Sequence, residues 1–131
     1  MTADQQEVAL SDTIAAAVQA YIDGLTSGTA EQIVDLYADG ATVEDPIGAP
    51  LRTTRDELLE FYGIITGMPH REATLAWTRI AGDTAVFEFT LVTGTDDAKF
   101  KITPVDVMVF DEHGKVASMR AVWNPTDLEQ V

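Results

Sequence analysis

Apolar residues in this chain recur at three- and four-residue steps as far as Ile65, and from Arg71 onward they alternate with polar ones. Helices and strands bury side chains with different periods, so one change of period divides the chain into a helical first part and a stranded second part. Helices first and strands later define an α+β domain, with helices packed on one face of a curved sheet. A length of 131 residues is enough for one core and short of two typical ones, so a single domain over residues 1–131 is expected.

Ser11 or Asp12 can cap a first helix reaching Leu25, with Ile14, Val18, Tyr21, Ile22 and Leu25 as its apolar stripe. Residues 1–10 are then expected to form a flexible N-terminal tail. Thr29-Ala30-Glu31-Gln32 and Thr54-Arg55-Asp56-Glu57 both have capping-box spacing. The helix after Thr29 turns Ile33, Leu36 and Tyr37 inward and closes at Asp39-Gly40. The helix after Thr54 turns Leu58, Phe61, Tyr62 and Ile65 inward and stops at Gly67-Met68-Pro69. All three tyrosines thus fall on helix faces predicted to be buried.

Turn signals at Gly82-Asp83, at 93–97 and at 111–114 separate four strands, 71–80, 84–92, 98–110 and 115–123. Hairpin-length connections make them an antiparallel meander. Pro104, inside the longest strand, demands an edge position or a bulge, and a bulge would help the sheet curl around a pocket.

Two carboxylates break the apolar pattern. In the octapeptide from Ala41 to Gly48, Asp45 shares a strand face with Ala41 and Val43, and Pro46 ends the strand. Asp45 then stands at the rim of whatever the sheet encloses, where a carboxylate can carry a proton; the same residues read equally as an Asp-Pro turn that merely stops a strand. Asp106 lies between Val105 and Val107 with no Lys or Arg beside it. A carboxyl buried without a cation favours its neutral form and becomes a hydrogen-bond donor. The alternative is a solvated edge beside Pro104. Tyr21 offers a second donor, while Tyr37 and Tyr62 are either ordinary core tyrosines or parts of a hydroxyl network. Phe87, Phe89, Leu91, Met119 and Trp123 are core residues or, given a pocket, its apolar wall.

A formal net charge of -14 with only 8 Lys plus Arg repels phosphate backbones and acidic membranes, so a neutral, apolar small molecule is the easier partner. No apolar run approaches bilayer length, no Lys/Arg-flanked apolar leader is present, and cysteine is absent, so a cytoplasmic location is expected. His70 and His113 lack ligand spacing to a second histidine, and no metal site is indicated. Neither a phosphate-cradling glycine loop nor a nucleophile elbow occurs.

The segments Val18-Gln19-Ala20-Tyr21, Tyr37-Ala38-Asp39, Ala41-Thr42-Val43-Glu44-Asp45-Pro46, Phe61-Tyr62, Val105-Asp106-Val107-Met108 and Phe110-Asp111-Glu112-His113-Gly114, with Met119 and Trp123, resemble the bacterial ketosteroid isomerase family, the steroid Δ-isomerases. That family is a standing example of a carboxylic acid kept protonated so that it can donate a hydrogen bond. The resemblance implies Asp45 as general base, Tyr21 and protonated Asp106 as donors to a carbonyl oxygen, and Tyr37 and Tyr62 as supporting tyrosines. It also implies a cone-shaped α+β domain of the nuclear-transport-factor-like type, a homodimer, a 3-oxo-Δ5-steroid substrate and no cofactor. Residues 63–74 and 93–101 depart from the family pattern, which bears on steroid preference and dimer contacts. Competing readings are a polyketide cyclase or dehydratase of the same fold, and a noncatalytic module that binds an apolar molecule.

Overall fold

The computed structural model describes residues 3–131. Helices α1 (Ala3–Ser27), α2 (Ala30–Val34) and α3 (Arg55–Thr66) cover one face of a curved seven-stranded sheet. Its strands are β1 (Tyr37–Glu44), β2 (His70–Ala81), β3 (Thr84–Gly94), β4 (Lys99–Ile102), β5 (Val105–Phe110), β6 (Val116–Val122) and β7 (Glu129–Gln130). The α+β class and its helix-on-sheet layering are as the change of period predicts.

The expected stripe of α1 is buried in full, Ile14, Val18, Tyr21, Ile22 and Leu25. The helix starts at Ala3 and not at Ser11 or Asp12, so residues 3–10 are helical where a flexible tail is predicted. No Gly or Pro interrupts that run, and helix propagation costs little through Gln, Glu, Ala and Leu. Met1 and Thr2 of the predicted tail lie outside the described residues.

Both capping boxes form. The Thr29 side chain accepts from the Gln32 N–H while the Gln32 side chain accepts from the Thr29 N–H, and Thr54 and Glu57 repeat the exchange. α2 nevertheless ends at Val34, and Tyr37 opens β1 in place of the predicted helix. Pairing with the sheet takes over there: the Val116 N–H donates to the Leu36 carbonyl at 2.9 Å, and Tyr37 lies in register with Val116.

β2, β3, β5 and β6 form the expected antiparallel meander. The predicted strand 98–110 is two strands, β4 and β5, because Pro104 has no N–H to give to the ladder. Both halves still pair with β3, through Leu91↔Ile102 and Phe87↔Asp106. β1 runs parallel to β6, so the sheet is mixed and not wholly antiparallel. No hairpin joins those two strands, and the long intervening chain permits the parallel register. Val43 consequently lies beside Met119, and Glu44 beside Arg120. β3 turns Ala85, Phe87, Phe89 and Leu91 toward the helices, β5 turns Asp106, Met108 and Phe110, and β6 turns Met119 and Ala121. Among the described residues no helix is long and apolar enough to cross a membrane.

Candidate active site

Asp45 is held from two sides. Val43 and Arg52 exchange backbone hydrogen bonds of 2.9 Å, and beyond Asp45 the Ile47 N–H donates to the Ala121 carbonyl, also at 2.9 Å. Between these ties Asp45 stands before a cis Pro46, half-buried at the end of the row begun by Ala41 and Val43. Its Oδ1 accepts a 2.7 Å hydrogen bond from the Trp123 indole Nε1. Its Oδ2 has no hydrogen-bond partner among the described residues. Burial raises the pKa of this carboxyl, while the Trp123 hydrogen bond and the Arg52 charge draw it back.

Asp106 is 1% exposed, set between Phe87 of β3 and Ala121 of β6. Neither of its carboxyl oxygens has a partner. Burial first, and the nearby Asp45 charge second, push its pKa well above the usual carboxyl range. The protonated, neutral form is favoured, and an unpartnered protonated carboxyl has a proton to donate.

Three elements bring the tyrosines together. Tyr62 of α3 shares hydrogen bonds with Tyr21 of α1 at 3.2 Å and with Tyr37 of β1 at 2.5 Å, a chain with Tyr62 in its middle. Burial lifts the pKa of all three well above the free-tyrosine value, so each keeps its proton. The Tyr21 ring meets Phe87 and Phe89 edge-on, with centroids 6.1 and 6.3 Å away, which fixes where its hydroxyl points.

Tyr21, Asp45, Asp106 and Trp123 face a cavity of about 190 Å³ whose other walls are Leu25, Phe61, Ile65, Phe89, Leu91, Thr93, Ile102 and Pro104. Of the five residues read as apolar wall, Phe89, Leu91 and Trp123 line it. Phe87 and Met119 do not: both are 0% exposed. Phe87 packs under Tyr21, and Met119 is enclosed between Val43 and Met108 in the sheet. Tyr37 and Tyr62 lie behind the wall. Thr93, Ile102 and Pro104 were not singled out from the sequence as site residues, although the alternation through Phe89 and Leu91 leads on to Thr93, and that of β5 leads back from Asp106 to Pro104 and Ile102.

The site thus combines a carboxylate with one free oxygen and two neutral O–H donors, in a pocket whose other walls are apolar apart from Thr93. Such a set can accept a proton from carbon and hold the negative charge that results. Among the described residues, no group of three or more His, Asp or Glu is placed to hold a metal ion.

The SnoaL-like domain pattern matches residues 18–119. The steroid Delta-isomerase of Nocardioides simplex is 40% identical over 119 residues, covering 91% of this chain and 96% of that protein. Among solved structures, SalBIII, an epoxide hydrolase/cyclase-like enzyme in pyran ring formation in the polyether salinomycin, superposes with a TM-score of 0.83. That match covers 90% of this chain and 95% of the other at 22% identity, a likeness of fold. The chain therefore belongs to the SnoaL-like domain family of the nuclear-transport-factor-like superfamily, and it is a homologue of steroid Delta-isomerase along nearly its whole length.

Proposed function

We propose that this protein converts 3-oxo-Δ5-steroids to 3-oxo-Δ4-steroids by moving one proton through a dienolate, with Asp45 as the base. The observation that carries this reading is the pair of carboxyls in one pocket whose environments separate them: burial raises both, but Asp106 has nothing to offset it, while a hydrogen bond from Trp123 and the Arg52 charge draw Asp45 back. Asp45 keeps a hydrogen-bonded oxygen and a free one, and Asp106 is buried without a partner. Environments that push two carboxyls apart assign one as base and the other as acid.

The C4 proton of a 3-oxo-Δ5-steroid is flanked by the carbonyl and the alkene, so its removal by Asp45 Oδ2 leaves a dienolate with charge on the C3 oxygen. Tyr21 and protonated Asp106 donate to that oxygen, and Tyr62, itself joined to Tyr37, orients the Tyr21 hydroxyl. Donors fixed in a dry pocket are worth most while the charge develops. Asp45, now protonated, returns the proton at C6, and the double bond comes into conjugation with the carbonyl. Atoms and electrons balance without a cofactor.

Mixing the purified protein with 5-androstene-3,17-dione is expected to produce conjugated-enone absorbance far faster than buffer. Binding of an enone steroid with no such rate would remove the isomerase and leave a binding module or an enzyme for another ketone. The pH profile carries a second expectation. Asp45 must be ionised to accept the proton, so turnover falls as pH drops through its pKa, which burial has raised above 3.8. An acid limb centred at or below that value would count against Asp45 as the group titrating.

We also infer a homodimer formed through the outer sheet face. Val86, Val105, Val107 and Val109 are only half-buried there, next to Val122, which is 49% exposed. A contiguous apolar strip of this kind marks a contact surface. Sedimentation equilibrium should give twice the 14.2 kDa chain mass, and a monomer at all concentrations would refute the inference.

A further inference from the structure

Arg52 is tied by its backbone to the segment that ends in Asp45. Its backbone pairs with Val43 through two 2.9 Å hydrogen bonds, two residues ahead of Asp45 on the same chain. Its guanidinium lies 4.2 Å over the centre of the Phe61 ring, and Phe61 is itself a wall of the pocket. One guanidinium nitrogen, Nη1, is buried without a hydrogen-bond partner. A buried cationic donor left unpaired is costly, so a charge kept in that state is more consistent with a role at the site than with holding the fold together.

We infer that Arg52 is a positioning residue for the base: stacked on Phe61 and bridged to Val43, it supplies a positive charge that joins the Trp123 hydrogen bond in favouring the ionised Asp45 carboxylate. This rests on the reading of Asp45 as base, and it adds a residue acting through Asp45 without touching substrate.

Of the described groups around Asp45, Arg52 is the one whose positive charge acts on it, beside the hydrogen bond from Trp123. Trp123, from beyond β6, gives Oδ1 a neutral hydrogen bond. Asp106 on β5 is a second carboxyl, whose interaction with Asp45 is repulsive when both are charged. Tyr21, Tyr37 and Tyr62, from α1, β1 and α3, keep their protons. Glu44 and Arg120, beside Asp45, are joined to each other by a 2.9 Å ion pair on the outer face. Arg52 also acts on Glu57 of α3, whose carboxylate is exposed and already accepts from Thr53 and Thr54. Against the effect of burial, the Trp123 hydrogen bond lowers the Asp45 pKa most, and the charge of Arg52 lowers it further.

The test is the titration of the Asp45 carboxyl carbon, followed by NMR on the full-length, ligand-free protein, in wild type, Arg52→Met, Arg52→Gln and Arg52→Lys. Both neutral variants should move the midpoint upward, and Arg52→Lys should return it toward wild type. With substrate, the acid limb of kcat/KM should move upward in the neutral variants by the same amount and converge with wild type at high pH. A structural role alone would lower the melting temperature without moving either midpoint. Coincident midpoints in wild type and both neutral variants would overturn the inference, and the two neutral side chains give a second readout should one variant fail to fold. Because the titration needs no turnover, it can be read even if the wild-type protein isomerises nothing.

Discussion

Asp45→Asn is expected to lower kcat on a 3-oxo-Δ5-steroid by about a hundredfold to ten-thousandfold, the usual contribution of a positioned base, with little change in the affinity for a product-like enone. The separation of the two effects follows from geometry. The Asn side chain has nearly the same shape and can still accept from the Trp123 Nε1 through its carbonyl oxygen, so the Asp45 corner of the pocket and its contacts persist. What disappears is the free Oδ2 as proton acceptor, which matters only on the way to the dienolate. Steady-state kinetics beside equilibrium binding of the enone checks this, and a parallel loss of turnover and affinity would mean that Asp45 shapes the pocket and moves no proton.

Asp106→Ala should have effects of opposite sign on activity and stability. Losing one of two donors to the developing oxyanion typically costs about a hundredfold to a thousandfold in kcat. The melting temperature, by contrast, should rise, because two buried oxygens without partners disappear, each costing about 1–3 kcal/mol when left unsatisfied. The vacated space adjoins the pocket, so no sealed cavity offsets the gain. The sign of the pH dependence follows by linkage. A carboxyl whose folded pKa lies above the unfolded value of about 3.8 binds its proton more tightly when folded, so its contribution to stability is fully present below that pH and is lost as pH rises. The stabilisation by Asp106→Ala should therefore be smallest in acid and grow toward neutral pH. Asp106→Asn, which keeps an N–H donor, should lose less activity. A lower melting temperature for Asp106→Ala, with unchanged turnover, would place Asp106 in the core and outside the chemistry.

Much of this site is legible in the sequence because its signals are local. Pro46 after Asp45, valines on both sides of Asp106, and Thr54 followed three residues later by Glu57 each state their structural meaning within a few residues. The remainder depends on pairing across the fold. Trp123 and Asp45 are 78 residues apart and meet because β1 lies parallel to β6, a register that no hairpin announces. Tyr37 fits a helical stripe by spacing, yet the Val116 and Leu36 pairing draws it into β1. Phe87 and Met119 follow the alternation of Phe89 and Ala121, and depth alone, which periodicity does not encode, decides that they lie beneath the pocket while Phe89 lines it. Arg52 is not legible as a site residue because an isolated arginine between elements has no pattern; its stacking on Phe61 exists only in three dimensions.

The most direct measurement is the fate of the hydrogen itself. Isomerisation of a substrate deuterated at C4, with the product analysed by mass spectrometry and NMR, should show deuterium carried to C6 in wild type. Transfer by one carboxyl inside an apolar pocket competes with exchange to water, so part of the label is retained. Turnover that places no deuterium at C6 under any condition would contradict a single base that removes and returns the same proton.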